Sequence, residues 1–554
     1  MKNILLLINN YGSPFSDFAV MFENILKNTS QFSLDVTNDR NKLCDLSKYD
    51  AVALYISSGE LSLEQEEGIT SYVRKGGGLL AIHTANAGLA QYSKYIEMIG
   101  TEFVGHDPLG HFEVEVDPDS EDILPRLSRK FMVEDECYNM AIKTEAPLRW
   151  FQYGLWKLEK KPLGYVRTYG DGKLFYTALG HDKRTFVHPD FQDQLIKGLR
   201  YVCSMLDKGP IRIGLVGYGP LFGMGKHHSE HIAATEGFEL GAICDRDPER
   251  LEAAREEQGD AIPLFLDISD LIDANLVDLA IVIVPHIYHA QVAKPLLHAG
   301  LHVITEKPFT VHVAEANELI ALAKQKGVMI SAYHNRHWDM DIMSLKEIID
   351  RGDIGDLFSI ECNMVGYGLP SQAWRSDKSI SGGLLYDWGA HQIEKILQLV
   401  PRYDSSGNRI NKRACLHGNF LKEVWHSSTN EDFCRAYAKF DTGLEAQLLA
   451  STIHASPRPL WTVQGTRGSI VMETGDGAAT VTLADPGGRH LTSNVKPYNN
   501  GNKWSNYYKN IADHLLSGLP LTITGEWAKG PIQLIEGCEE ASKSNKLVEI
   551  EFDF

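Results

Sequence analysis

Two segments of the chain begin in the same way, and this limits the fold more than any other feature. The runs NILLLIN (3–9) and IRIGLVG (211–217) are short and apolar, contain β-branched residues and end in turn residues. Strand and helix patterns then alternate after each run, which is typical of a parallel sheet with crossover helices. We therefore expect two α/β units in series, separated near residue 207 by the linker-like stretch SMLDKGP (204–210).

The pattern changes after about residue 355. Segments such as DFCRAYAKF and LWTVQGTRGSIVME read as β-strands without helices between most of them, which favours a large, mostly antiparallel sheet. A helical tail is expected near 503–517 and 526–543. The predicted domains are 1–207, 208–332 and 333–554.

Bulk properties exclude several classes of function. The 554 residues are too many for one core, and the net charge of −19 argues against nonspecific binding to nucleic acid or to an anionic membrane. The run ILLLI is too short for a signal-peptide core, and no run approaches the roughly 18 apolar residues of a membrane helix. With eight scattered cysteines and no C-x-x-C motif, we expect a cytoplasmic protein with reduced thiols.

The stretch VGYGPLFGMGKHH (216–228) resembles a dinucleotide-binding loop with irregular spacing. Gly217 and Gly219 fit the first two places of G-x-G-x-x-G, the third falls on Phe222, and Gly223 and Gly225 arrive late. Such glycines let the backbone approach a pyrophosphate at a helix N-terminus. The loop alone is a weak signal, and we interpret Pro220–Phe222 as an insertion before the displaced third glycine.

Asp245 supports this interpretation because it ends the second strand of the same unit, near the spacing at which an acid binds the ribose hydroxyls. A carboxylate there favours NAD, since it would repel a 2′-phosphate. The neighbouring Arg246 leaves NADP open. The alternative for Asp245 is a helix cap.

Three further stretches place chemically active residues at strand ends or at a helix start. They are TEKPFT with Glu306, Lys307 and Pro308, PHIYH with Pro285 and His289, and SGGLLYDWGAHQIE with Asp387 and His391. A histidine can take the hydroxyl proton while hydride leaves the same carbon, and an adjacent ammonium stabilises the developing alkoxide. The alternatives are a structural core histidine and a surface lysine.

This set resembles the Gfo/Idh/MocA family of sugar and polyol oxidoreductases over roughly residues 211–554. The resemblance implies a Rossmann domain and an α+β domain whose open, mostly antiparallel sheet often forms homo-oligomers. By position, Lys307 would contact substrate and the nicotinamide ribose, His391 would be the acid/base, and Asp387 would hold the substrate or the imidazole. The other cofactor contacts would come from Gly217, Gly219, Gly223, Gly225, Asp245, Arg246, Pro285, His289 and Glu306.

Other family positions are matched less closely. Asn335 and Arg336 in YHNRHWD, and Trp374 and Arg375 in AWRSD, match regions that face sugar in relatives, although loop hydrogen bonding is an alternative. Where relatives have aspartate three residues after the histidine, this chain has Glu394. The longer side chain puts the expected contact with substrate or base in doubt.

The first unit carries histidines at the ends of its predicted elements, and these would suit a metal site, an acid/base site or separate structural roles. The order of its motifs resembles the ThuA-like domain, which implies a flavodoxin-like, class I glutamine amidotransferase-like fold. The sharp turn that would carry a nucleophilic cysteine here holds His83-Thr84, which argues against amidotransferase chemistry. The matching residues are His83, His106, Glu136 and His181, and the metal is unknown.

Together the halves suggest a bifunctional enzyme. Residues 211–554 would oxidise a sugar or glycoside hydroxyl, for example at C3 of a glucoside or disaccharide, and the ThuA-like domain would process the keto sugar. The alternatives are a redox-neutral NAD-dependent glycosidase and a sugar- or nucleotide-sensing protein with an inactive N-terminal domain.

Overall fold

The computed structural model describes residues 1–8, 18–27, 29, 31–56, 59–207, 209–219, 223–370, 373–402, 410–496 and 504–553. The Pro220–Phe222 insertion lies outside the described residues. The chain divides into two compact units, which are Met1–Gly209 with Asp513–Pro520, and Pro210–Ala512 with Leu521–Phe554. The three domain limits predicted from sequence stay predictions.

The described residues of the first unit form eleven strands and five α-helices. The strands are β1 (Lys2–Ile8), β2 (Phe32–Thr37), β3 (Ala51–Tyr55), β4 (Gly78–Ile82), β5 (Thr101–His106), β6 (Gly110–Val116), β7 (Lys130–Asp135), β8 (Tyr138–Ile142), β9 (Arg149–Trp156), β10 (Glu159–Tyr169) and β11 (Gly172–Thr177). The helices are α1 (Phe18–Lys27), α2 (Leu63–Arg74), α3 (Ser93–Ile99), α4 (Lys183–Val187) and α5 (Pro189–Val202).

The main sheet of the first unit has the order β2-β1-β3-β4-β11-β10-β9-β6-β7. Its first five strands are parallel, and they have the 2-1-3-4-5 order of flavodoxin-like folds. Every residue of β3 and β4 is buried, which explains their continuous apolar sequences. The flavodoxin-like prediction for this unit is confirmed, with an antiparallel extension from β10 to β7.

In the second unit, the part of the chain that the structure describes forms fifteen strands and ten α-helices. The strands are β12 (Ile211–Val216), β13 (Phe238–Cys244), β14 (Leu264–Phe265), β15 (Leu279–Val282), β16 (His302–Thr305), β17 (Ile330–Ala332), β18 (Leu357–Val365), β19 (Arg413–Leu421), β20 (Phe433–Phe440), β21 (Glu445–Ser451), β22 (Trp461–Gly465), β23 (Gly468–Met472), β24 (Ala479–Ala484), β25 (His490–Val495) and β26 (Val548–Glu551). The helices are α6 (Met224–Ala233), α7 (Pro248–Gln258), α8 (Ile268–Asp273), α9 (His289–His298), α10 (Val313–Lys326), α11 (Met340–Asp350), α12 (Lys378–Ser381), α13 (Ala390–Leu399), α14 (Trp504–Ala512) and α15 (Gly525–Ser544). Among the described residues, no helix combines the length and apolar character that crossing a membrane requires.

Strands β12–β17 form a fully parallel sheet of order β14-β13-β12-β15-β16-β17, which is the doubly wound order of Rossmann folds. The second sheet has nine strands in the order β25-β24-β23-β22-β18-β21-β20-β19-β26, and the β18–β21 pair is parallel while the other pairs are antiparallel. Helix α15 lies close against β19, where a Cβ on Gly418 would stand 1.9 Å from the carbonyl oxygen of Cys538. The predicted Rossmann domain and open, mostly antiparallel sheet are both confirmed.

A buried ion pair joins α13 and α11 near the second sheet. Lys395 Nζ donates to both carboxylate oxygens of Asp341, at 2.8 and 2.9 Å, and the indole of Trp461 donates to the same carboxylate at 3.0 Å. The two charged side chains are each 2% exposed. Neither charge is solvated by water, so each depends on the other.

Lys395→Met is expected to destabilise the second unit by about 3–5 kcal/mol, because it leaves the Asp341 carboxylate buried without its counter-ion. Urea unfolding of the full chain measures the change. The control is Lys439→Met, which removes an exposed pair with Glu445 and should cost less than about 1 kcal/mol. Equal effects of the two substitutions would contradict the assignment.

Candidate functional site

The glycine loop after β12 has no room for side chains at two of its positions. Gly217 has φ +99°, and a Cβ there would stand 2.3 Å from the carbonyl oxygen of Ile283. A Cβ on Gly225 would stand 2.5 Å from the ring of Tyr218. Gly223 caps α6, whose first N–H groups lack helical partners. The loop therefore fits the predicted pyrophosphate cradle.

Asp245 lies directly beside this loop, after β13. Its carboxylate accepts hydrogen bonds from the backbone N–H of Tyr218 at 2.6 Å and of Asp247 at 3.0 Å. The carboxylate is thus fixed at the carboxyl end of the sheet, where a ribose would lie. Arg246 is exposed, and Arg250 approaches Asp245 to 3.8 Å. The predicted ribose contact stays a prediction. A Cβ on Gly219 would stand 3.4 Å from the guanidinium of Arg250.

Lys307 and Asp387 form a buried ion pair at the end of β16. Lys307 Nζ donates to the backbone oxygen of Asp387 at 2.6 Å and to its carboxylate at 3.0 Å, and Arg375 donates to the same carboxylate. Burial lowers the pKa of Lys307. Burial alone would raise the pKa of Asp387, but the charges of Lys307 and Arg375 lower it. Glu306 accepts from the Lys307 backbone N–H and pairs with His228.

His391 lies in the first turn of α13, just after a π-helical turn at Leu385–Gly389 that contains Asp387. The predicted helix start is therefore wider than an α-helix at this point, a distortion that is frequent at functional sites. Burial, with the nearby charge of Lys307, lowers the pKa of His391 well below its ordinary value. Its buried Nδ1 has no hydrogen-bond partner among the described residues. The imidazole is neutral and able to accept a proton.

Two further histidines of this site were not singled out from the sequence, although both lie in stretches with candidate residues. The ring of His334 is 6.5 Å from that of His391. Both its nitrogens are buried and lack partners in the described part of the chain, and burial lowers its pKa to about 4. His286 donates from Nδ1 to the backbone oxygen of Ser381, at 2.8 Å, and packs on Trp374.

Two of the residues predicted to contact the cofactor, His289 and Pro285, have local contacts within the protein itself. Both ring nitrogens of His289 face backbone oxygens, Nδ1 that of Pro308 at 2.7 Å and Nε2 that of Val284 at 2.9 Å, and the ring is fully buried. A neutral imidazole has one N–H, so the ring donates to one of these two oxygens beside the E-K-P turn, and its predicted cofactor contact stays a prediction. Pro285 caps the short 3₁₀ turn before α9.

Two of the four residues predicted to face sugar act directly on His391 or on the ion pair. Arg336 contributes to lowering the pKa of His391 and lies 3.4 Å from Asp339, while Asn335 is buried. The guanidinium of Arg375 stacks on the ring of Trp374 at 4.9 Å. These contacts place Arg336 near His391 and Arg375 beside Asp387, and the roles of all four residues stay predictions.

Glu394 has other partners than the base. Its carboxylate pairs with His337 at 2.6 Å and accepts from the indole of Trp527 at 2.8 Å. Burial opposes ionisation, but His337 and the other donors lower the pKa of Glu394 to about 2. Among the described residues, no hydrogen bond joins Glu394 to His391.

Three side chains of the first unit converge after β4, β7 and β11. His83 Nε2 lies 3.3 Å from His181 Nδ1 and 3.8 Å from Glu136 Oε2, and His181 Nδ1 lies 3.2 Å from the same Oε2. His106 approaches the other oxygen of Glu136 to 3.5 Å, while its Nδ1 also faces the backbone oxygen of Asp107 at 2.8 Å. The structure thus brings the four predicted residues together, and the first three could hold a metal ion.

The electrostatic environment of this group differs among its members. Burial lowers the pKa of His83 to about 4 and raises the pKa of Asp135 to about 6. The hydrogen bond to Glu136 raises the pKa of His181. Burial would raise the pKa of Glu136, but His181 and the other histidines lower it. The sharp turn predicted after β4 holds His83 itself, at φ +49°.

Comparisons with known proteins agree with both units. A family model described as ThuA, trehalose utilisation, matches residues 8–202. A model of an oxidoreductase family with an NAD-binding Rossmann fold matches 211–334, and a GFO/IDH/MocA C-terminal domain model matches 342–471.

Individual relatives resemble the second unit. The chain is 26% identical over 382 residues to scyllo-inositol 2-dehydrogenase (NADP(+)) IolW of Bacillus subtilis, covering 64% of this chain and 99% of the relative. It is 24% identical over 203 residues to D-glucoside 3-dehydrogenase of Escherichia coli, covering 36% and 56%. The chain spans about half the length of several other curated relatives. An NAD-binding protein from Listeria innocua shares the fold, with 24% identity, a TM-score of 0.53, and coverage of 61% of this chain and 96% of that one.

Gly217→Ala is expected to weaken NADH binding roughly tenfold or more, about 1.4 kcal/mol, because the new Cβ would push the loop away from β15. Fluorescence titration with NADH measures the affinity. Gly300→Ala is the matched control, since Gly300 also has a positive φ, +84°, but has open space around it and lies away from the loop. An unchanged affinity in Gly217→Ala would refute the loop assignment.

Proposed function

We propose that this chain, a ThuA domain fused to an oxidoreductase of the Gfo/Idh/MocA family, oxidises a ring hydroxyl of a glycoside or related sugar with NAD. The chain is an NAD(P)-dependent oxidoreductase that acts on a CH–OH group. The proposal adds the sugar hydroxyl, with C3 of a glucoside or disaccharide as the preferred position, and a role for the ThuA domain in processing the ketone.

The observation that carries the proposal is a neutral, buried histidine beside a buried ammonium. Nδ1 of His391 is enclosed and has no hydrogen-bond partner among the described residues, so Nε2 would be the nitrogen that faces a substrate. Burial and the charge of Lys307 lower the pKa of the ring. A base and a cation placed together are what oxidation of an alcohol needs, because the hydroxyl proton must leave as negative charge develops on oxygen.

In this mechanism each residue has a distinct task. His391 accepts the hydroxyl proton, and Lys307 donates a hydrogen bond to the oxygen as it becomes an alkoxide and then a carbonyl. Asp387 holds Lys307 through both its backbone and its carboxylate, so the ammonium stays oriented. Arg375 shares that carboxylate and stacks on Trp374, which offers a flat face to a sugar ring.

The cofactor would lie along the carboxyl ends of β12, β13 and β15. The glycine loop would hold its pyrophosphate, and the carboxylate of Asp245 would accept hydrogen bonds from the ribose hydroxyls, which favours NAD over NADP. Bound NAD supplies the hydride acceptor. Arg246, which follows Asp245, could accommodate the 2′-phosphate of NADP. The ratio of the NAD and NADP affinities decides between the two cofactors.

The ThuA domain would act next on the product. A ketone at C3 acidifies the C2 hydrogen, so a base can remove that proton while the electron pair forms the C1–C2 double bond and the C1 substituent leaves with its bonding electrons. His83, His106, Glu136 and His181 are the groups available for this step. We also expect the protein to be cytoplasmic and to form a homo-oligomer through the nine-stranded sheet of the second unit.

Replacing His391 with Asn should lower kcat/KM for sugar oxidation by about 10²–10⁴-fold, because the base is lost while NADH binding is kept. Absorbance of NADH during incubation with NAD and a panel of glucosides, trehalose and inositols measures the rate. His298→Asn, an exposed histidine of α9, is the control. Normal NADH binding without hydride transfer from any carbohydrate would refute the sugar assignment, and a keto sugar without net NADH would favour the redox-neutral glycosidase.

The acid limb of the pH profile of kcat/KM should lie well below the ordinary histidine pKa of about 6.5. Burial and the charge of Lys307 depress the pKa of His391, so the neutral base persists as the pH falls through that value. Arg336→Gln removes a second nearby positive charge and should move the limb upward. A limb at the ordinary value in the unaltered enzyme would contradict the assignment of His391 as the base.

A further inference from the structure

The group formed by His83, Glu136 and His181 has the dimensions of a metal site. Ligand bonds of about 2.0–2.1 Å in a tetrahedral zinc site place the ligand atoms roughly 3.3 Å from one another. The three distances here are 3.3, 3.2 and 3.8 Å, and both involving Glu136 end on the same oxygen. Within the described part of the chain, this is the single group of three or more such side chains that could surround one ion.

The hydrogen bonds of His83 leave the correct nitrogen available. Its Nδ1 lies 2.7 Å from the backbone oxygen of Ala178, and a carbonyl oxygen accepts only, so Nδ1 carries the proton. The lone pair of the neutral ring is therefore on Nε2, which points at Glu136 and His181. A backbone carbonyl on the far nitrogen is the arrangement that orients metal-binding histidines.

A buried carboxylate holds the other two ligands in place. Asp135 is fully buried, and its carboxylate accepts from the backbone N–H groups of Glu136 at 2.8 Å, of His181 at 3.0 Å and of Gly180 at 2.8 Å. The end of β7 and the loop after β11 are thereby fixed to each other. The spacing between Glu136 and His181 is consequently set before any ion binds.

The backbone of His83 is strained at the same place. Its φ of +49° lies in the left-handed region, which is uncommon for a residue with a side chain. The ring is nevertheless fully buried and aimed at the other two ligands. Strain of this kind persists where the surrounding structure fixes a functional group.

We propose that His83 Nε2, His181 Nδ1 and Glu136 Oε2 bind one divalent transition-metal ion of the zinc type. Two imidazoles and one carboxylate suit such ions, whereas magnesium and calcium prefer oxygen ligands throughout. The side chain of His181 is 30% exposed and that of Glu136 12% exposed, so one side of the group opens to solvent. Three protein ligands and an open side leave a fourth position for water or an oxygen of a bound molecule.

A substitution of Tyr138 distinguishes a metal site from a hydrogen-bonded network that binds no ion. Its hydroxyl lies 2.9 Å from His83 Nε2 and donates to that lone pair when no ion is bound. An ion would take the lone pair instead. Tyr138→Phe should therefore keep or tighten metal binding, whereas a network without an ion-binding function predicts no specific metal binding in either form.

The experiment uses the full chain, stripped with a chelator and dialysed against Zn²⁺ or Co²⁺. Elemental analysis gives the stoichiometry, and the visible absorption of Co²⁺ reports its coordination. We expect one ion per chain, and at least tenfold weaker binding in Glu136→Gln and His181→Gln, and in His83→Gln. His111→Gln is the matched control, because His111 forms an ordinary exposed pair with Glu134 at 3.4 Å and has no third ligand.

NADH binding by each variant checks that the chain is folded. If the substitution of the buried His83 prevents folding, the substitutions at the partly exposed positions 136 and 181 still decide the test. Absence of Co²⁺ binding by the unaltered chain, or binding that the three ligand substitutions leave unchanged, would overturn the proposal. Metal binding is measured without sugar. Its failure would leave the proposed dehydrogenase activity intact, and loss of dehydrogenase activity would leave the ion in place.

Discussion

The second unit depends on one buried pair of opposite charges, the ammonium of Lys307 and the carboxylate of Asp387. Their side chains are 11% and 8% exposed, so water solvates neither fully, and removing one partner of a buried pair typically costs about 3–5 kcal/mol. The pair joins the end of β16 to the π turn before α13, and His391 lies one turn further on. The pair thus fixes the turn from which the base projects, while burial, followed by the charges of Lys307 and Arg336, lowers the pKa of the base.

The candidate groups of both units lie where strands end. In the second unit the glycine loop, Asp245 and Lys307 follow parallel strands, which is where open α/β sheets bind ligands. In the first unit His83 and His181 follow the parallel strands β4 and β11, and Glu136 follows β7 of the antiparallel extension. One principle of sheet architecture thus places two different chemistries, proton transfer beside an ammonium and a compact group of nitrogen and oxygen ligands.

The sequence predicted the features that are local in the chain. Apolar runs separated by helix patterns indicated both parallel sheets, and E-K-P with D-W-G-A-H indicated the residues that meet at the ion pair. Contacts between segments that are far apart in the sequence could not be predicted. Nothing near Glu394 in the sequence indicates His337 or Trp527, and only the folded turn shows that the ring of His289 lies between the backbone oxygens of Pro308 and Val284. The π turn at Leu385–Gly389 was not predicted either, because its residues fit an ordinary α-helix equally well.

The segment Asp513–Pro520 belongs to the first unit although it lies near the other end of the chain. Asp513 accepts from Arg126 at 2.7 Å and from Lys197 at 3.3 Å, and both cations are almost fully buried. On a ribosome, residues 1–207 emerge long before this carboxylate exists. Arg126 also pairs with Asp207 and Lys197 with Asp193, both within the first 207 residues, so those residues already carry a counter-ion for each cation. Asp513 adds a second carboxylate to this buried cluster only after most of the second unit has been synthesised.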